Sequence, residues 1–132
     1  MDISVRRVLK ALSEGRVVGI LADQTAPMES VSVEFFGRMV PTFEGPAVFS
    51  LKTGAPIVMA CALRISEGKY SVEFQEIQTD DLKGFSDENV ETLTQRHVSL
   101  TEEIIRKNPD QWMWMHKRWK HVPDRIKVVR AL

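Results

Sequence analysis

Three groups of residues in this chain have types and spacings that could do chemistry. The first is Asp23 with Gln24, which stand where the apolar run Val17-Val18-Gly19-Ile20-Leu21-Ala22 stops. A short apolar run ending on an acid is the pattern of a buried strand leaving an α/β core. Ligands of open α/β sheets sit beyond the carboxyl ends of the strands. A carboxylate and an amide at such a point can orient a hydroxyl, a cationic group or a metal. The plainer reading is that Asp23 starts a turn. No glycine-rich phosphate loop follows it, so nucleotide chemistry is weakly supported.

The second group is His97 with Glu102. Both fall in a stretch patterned as one continuous helix, where residues five apart point roughly 140° from each other. A helical pair in that arrangement does not touch, and His97 lies on the apolar stripe, so a core histidine is the better reading. The third group is the segment Trp112-Met113-Trp114-Met115-His116-Lys117-Arg118-Trp119-Lys120. From Trp112 to Leu132 there are six Lys or Arg residues against one acid, Asp124. Tryptophan among cations suits a membrane–water interface or an anionic headgroup. It equally suits a terminal helix that packs its aromatics on a sheet and leaves the cations in water. No nucleic-acid motif accompanies the basic residues, and no nucleic-acid partner is expected.

The elements that must position these groups follow from periodicity. Met1 to Glu14 reads as an amphipathic helix carrying Ile3, Val5, Val8, Leu9 and Leu12 on one face, with Gly15 as its stop. Val17–Ala22 and Ile57–Leu63 read as buried strands of a parallel pair, with a helix from Pro46 to Lys52 in the crossover. Between them Val31–Phe35 alternates as a half-exposed strand, Phe36-Gly37-Arg38 makes a turn, and Pro41–Pro46 makes a rigid loop in which Thr42 or Gly45 caps the helix. Ser66–Lys69 is a hairpin turn leading to an edge strand over Tyr70–Gln75. Thr79–Phe85 is loop. Ser86 caps a helix reaching Lys107, with a stripe of Val90, Leu93, His97, Leu100 and Ile104. Asn108-Pro109 ends it. A short helix is expected over Asp110–Lys120, and a last strand at Ile126–Val129.

Length and composition bound the rest. The 132 residues suffice for one small core. At 43% hydrophobic and 27% charged, with a formal net charge of zero, the chain is neither disordered nor selective for partners by global charge. The single Cys61 sits in an apolar run, which suggests a buried thiol and excludes an intrachain disulfide or a cysteine-based zinc site. No apolar run is long enough to cross a bilayer, and no signal-peptide pattern opens the sequence. The strand expected before the first helix is missing, so the chain reads as starting in the middle of a motif.

Four motifs carry a family resemblance: G-x-V-V-G-I-L-A-D-Q, V-x-F-F-G-R-x-x-P-T-F-E-G-P-A, K-T-G-A-P-I-V and I-x-x-N-P-D-Q-W-M-W-x-H-K-R-W-K. In that order, spanning about Val5 to Lys120, they resemble the C-terminal part of the lipid A biosynthesis lauroyl/myristoyl acyltransferases. The resemblance implies a partial glycerolipid-acyltransferase-like α/β fold, a mixed, mostly parallel sheet flanked by helices, with residues 1–132 as the C-terminal part of one domain. It implies transfer of a fatty acyl group from an acyl carrier protein thioester to a hydroxyl of a lipid A precursor. The partners would include a membrane surface, the cytoplasmic face of the bacterial inner membrane, and neither cofactor nor metal would be used. In that family a His-x4-Asp/Glu motif supplies the general base upstream of the Asp-Gln motif. No such motif stands between Met1 and Asp23, so the expectation is a chain that lacks its base and is inactive alone.

By the resemblance, Asp23 supports the catalytic pair. Gln24, Phe36, Gly37, Thr42, Gly45, Pro46, Lys117 and Arg118 line the substrate side, and His116 and Trp119 match the terminal segment. Two other readings compete: a non-catalytic peripheral lipid-binding module using the Trp and basic residues, and a different enzyme centred on Asp23 with a metal. If half of a domain is missing, exposed strand edges and apolar faces should make the chain associate.

Overall fold

The computed structural model describes residues 3–122. The expected strand at Ile126–Val129 lies outside the described residues. Helix α1 spans Ile3–Ser13, and Gly15, at φ 73°, ends the turn that follows it. Strands β1 (Ser32–Phe35) and β2 (Arg38–Pro41) form a tight hairpin. Helix α2 runs Gly45–Thr53 and stops on Gly54 in the left-handed conformation, where no side chain is strained. Strands β3 (Ile57–Ser66) and β4 (Lys69–Ile77) form a second antiparallel hairpin. Helix α3, Asp87–Lys107, begins at Ser86, whose hydroxyl accepts the Asn89 N–H at 3.1 Å.

The long helix is the spine, and it is buried on two sides. Val98 and Ile105 pack against Val33, Phe35 and Val40 of the β1–β2 hairpin. Val90, Leu93 and Leu100 pack against Ala47 of α2 and Ile77 of β4. The expected stripe is therefore right in part: buried Thr94, Val98, Thr101 and Ile105 widen it to a second face. A helix wedged between two layers needs this broader apolar arc.

The α/β class holds, but the mostly parallel sheet does not. Among the described residues the strands make two separate two-stranded antiparallel sheets. Val17–Ala22 forms no strand; it runs as irregular chain with Val17 98% and Leu21 90% exposed. A strand exists only where a neighbour completes its hydrogen-bond ladder. Among the described residues none lies beside this run: β3 pairs with β4 alone, through the short Glu67-Gly68 turn. That local closure has a small entropic cost compared with a parallel crossover.

Two smaller expectations also change. Strand β3 was read as buried on both faces, yet its burial alternates: Ile57, Met59, Cys61 and Leu63 are half-buried, and Val58, Ala60 and Ala62 are exposed. Cys61 is accordingly half-buried rather than buried; desolvation and the Glu73 carboxylate across the ladder push its thiol pKa up. The helix expected over Asp110–Lys120 is only a 3-10 turn, Pro109–Gln111, followed by tight turns. The Trp114 N–H bonds the Trp112 carbonyl at 2.9 Å, and the Arg118 N–H bonds the His116 carbonyl at 2.8 Å. These two-residue closures replace the helical ladder because the tryptophans dock on the hairpin instead of following a helical stripe.

Candidate functional site

The C-terminal turns bring Arg118 into the interior, where only 3% of it is exposed. Its guanidinium donates to the Pro41 carbonyl at 2.7 Å and to the Thr42 hydroxyl at 2.6 Å, and stands 5.5 Å from the Phe35 ring centroid. Thr42 is itself fully buried, and its N–H bonds the Val31 carbonyl at 2.8 Å, which closes the open end of the hairpin. A planar donor fork matches a carbonyl and a hydroxyl held side by side, and lysine cannot reproduce it.

Asp23 is exposed on the loop that passes this point. Burial pushes the Arg118 pKa down, and the Asp23 carboxylate opposes that shift, so the two lie within electrostatic range. His97 shares the neighbourhood. Its pKa is lowered by burial first and by the Arg118 charge second, with Asp23 pulling the other way. The structure thus gathers Asp23, His97 and Arg118, contributed by a loop, the middle of α3 and the terminal turns.

His97 does not work with Glu102. The Glu102 carboxylate accepts the Phe36 N–H at 2.6 Å and the Arg106 Nε–H at 2.9 Å. Because burial and the Arg118 charge lower the folded pKa of His97 from its ordinary value of 6.5, folding favours the neutral imidazole. The unfolded chain then binds more protons as the pH falls below that value, so stability is full above about pH 6.5 and declines towards the folded pKa. Urea titrations between pH 7 and pH 5 should show this decline, and His97→Gln should flatten it; an unchanged slope in the variant would assign it elsewhere.

The Asp23 loop is fastened to the terminal turns by a latch that no spacing in the sequence reveals. The Thr25 N–H donates to His116 Nε2 at 2.9 Å, and the Thr25 hydroxyl donates to the Lys117 carbonyl at 2.8 Å. His116→Ala removes one acceptor and should cost about 1 kcal/mol. Faster hydrogen exchange at the Thr25 amide checks it directly; unaltered exchange would show that the second bond holds the loop alone.

The remaining candidates separate into two places. Phe36 and Gly37 form the hairpin tip, both with positive φ (51° and 73°). Five residue steps of extended chain from Gly37 through β2 put that tip roughly 17 Å from Thr42. There Phe36 is half-buried, with its ring 4.8 Å from that of Phe35 and 6.3 Å from those of Trp114 and Trp119. Arg106 sits 4.7 Å over the Phe36 ring. These contacts hold a bulky residue in a conformation that otherwise costs about 1 kcal/mol or more.

Gly45 and Pro46 open α2 beside Thr42, and a side chain at Gly45 would collide with the Phe43 ring. Neither Thr42 nor Gly45 caps that helix. Glu44 occupies the cap position, and its carboxylate accepts the Val31 N–H at 2.9 Å, while the Thr42 hydroxyl serves Arg118. Gln24 and Lys117 are exposed near the latch. Among the described residues, no group of three or more His, Cys, Asp or Glu side chains is placed to hold a metal. No helix of the described residues is long and apolar enough to cross a membrane.

Comparison with known proteins gives two findings. The model of the bacterial lipid A biosynthesis acyltransferase family matches residues 2–121. The chain is 27% identical over 124 residues to the lipid A biosynthesis lauroyltransferase of Escherichia coli (strain K12). That alignment covers 92% of this chain and 40% of the relative, so the chain spans well under half the length of the curated protein it matches.

Proposed function

Since the chain belongs to the bacterial lipid A biosynthesis acyltransferase family, we propose that it forms the substrate-side wall of a fatty acyl transfer site. The acyl donor is an acyl carrier protein thioester, and the acceptor is a hydroxyl of a lipid A precursor at the cytoplasmic face of the inner membrane. The observation that carries this reading is the family match across almost the whole chain.

The geometry supports a division of labour. Arg118 and Thr42 hold the hairpin's open end rigid. Asp23 and Gln24 are presented on a loop pinned to the same turns through Thr25. A carboxylate held this way can orient a histidine base or the acceptor hydroxyl without moving during the reaction. His97 lacks the partner the motif would give it, because Glu102 is committed to Phe36 and Arg106. On this reading the general base comes from the His-x4-acid motif that the family resemblance places upstream of the Asp-Gln motif, and the expectation is that the isolated chain is inactive.

A chimaera tests this. The matching segment of the Escherichia coli lauroyltransferase is replaced by this chain, and acyl transfer from a lauroyl carrier thioester to a lipid A precursor is measured. The expected result is activity in the chimaera, none in the isolated chain, and a loss of roughly a hundredfold with Asp23→Asn. A folded, inactive chimaera, or an Asp23→Asn variant with unchanged turnover, would overturn the assignment.

A further inference from the structure

The terminal turns expose an apolar knob whose chemistry the acyl-transfer reading does not use. Met113 is 71% exposed, Met115 is 92% exposed, and Trp114 between them is 50% exposed. The knob is built rather than frayed. The Trp114 indole lies parallel to Trp119, at 10° and 6.4 Å between centroids, and its N–H donates to the Pro109 carbonyl at 2.6 Å. Folding thus holds a half-exposed indole between two solvent-facing methionines, although burial is the usual fate of such side chains.

The charge around the knob is one-sided. Residues 112–122 contain no acid, and Lys117 and Lys120 are exposed. Arg106, over the Phe36 ring that supports Trp114, is exposed as well, and the Glu102 beside it already takes both that guanidinium and the Phe36 N–H. Among the described residues, Asp110 is the exposed acid closest to this segment in the sequence. A half-exposed indole ring, flexible apolar side chains and a cationic rim match the headgroup layer of a bilayer, where the ring and thioethers leave water and the cations meet lipid phosphates.

We propose that Met113, Trp114 and Met115, with Lys117 and Lys120, are a docking surface for an anionic phospholipid bilayer. This deepens the acyl-transfer reading, because it says which side of the molecule meets the membrane that holds a lipid acceptor. Its test needs no turnover, so either can fail alone.

The full 132-residue chain is floated with vesicles of phosphatidylcholine alone and of phosphatidylcholine with phosphatidylglycerol. Trp fluorescence and circular dichroism are recorded alongside. The expected result is binding to the anionic vesicles that weakens with salt, with a blue-shifted Trp emission. Lys117→Glu with Lys120→Glu should lower partitioning by at least about 20-fold, from two cations lost near the surface. Met113→Ser with Met115→Ser should lower it by about tenfold at unchanged helix content. Equal affinity for both vesicle types, insensitivity to either folded double variant, or retention by an acidic carrier protein with no vesicle binding would each overturn the proposal.

Discussion

Arg118→Leu is expected to destabilise the protein by about 3 kcal/mol. The leucine fills much of the volume and removes a desolvated charge, which alone would favour it. Against that, the Pro41 carbonyl and the Thr42 hydroxyl lose their donor in a place water does not reach, since both residues are buried. The unmade bonds outweigh the relief of desolvation. Arg118→Lys keeps the charge but offers no planar fork, so its cost should be smaller, about 1–2 kcal/mol. A double-mutant cycle with Thr42→Val in urea unfolding isolates the shared bond and should give a coupling of about 1 kcal/mol. Additive losses would mean that Arg118 acts by packing alone.

Phe35→Ala should cost about 4 kcal/mol, the range for deleting a buried ring from a packed core. Phe35 is 1% exposed and lies in the centre of the aromatic cluster, with Trp119 stacked on it at 5.4 Å and Trp112 tilted at 6.3 Å. The cavity would lie where β1, α3 and the terminal turns meet, so the surroundings cannot collapse into it without moving all three. Phe35→Leu, which fills most of the space, should recover more than half of the loss. Thermal unfolding with near-ultraviolet circular dichroism reads both quantities, because the tryptophans report on their own packing. A Phe35→Ala variant that melts like the parent would show that the cluster contributes little to the fold. Leu93→Ala, in the other core cluster, is the control: a similar loss of stability should leave the tryptophan signal intact below the melt.

How far local pattern reached can be judged element by element. Ser86 with Asp87 and Glu88 announces the start of α3, and the turn glycines Gly54 and Gly68 mark two stops, because caps and positive φ are decided within a few residues. The alternation of Val31, Val33 and Phe35 placed β1 for the same reason. Val17–Ala22 misled because an apolar run states only that burial would be favourable; it does not say whether a neighbouring strand exists. The terminal segment misled in the opposite direction: its Trp and Met residues suit a helix, but their partners on the hairpin tip reward a different backbone path.

By itself, then, the sequence determined helices α1, α2 and α3, strand β1, the β3–β4 hairpin, the family resemblance and the presence of Asp23 and the Trp-rich basic segment. The tertiary structure alone decided that Arg38–Pro41 pairs with β1, that no parallel sheet forms among the described residues, and that Arg118 is buried under the hairpin. It also decided that Thr25 is latched to His116 across 91 positions and that Glu102 accepts the Phe36 N–H across 66 positions. Apart from the β1–β2 pairing, each depends on contacts between residues far apart in the chain, whose balance of burial, hydrogen bonding and closure entropy no local window contains.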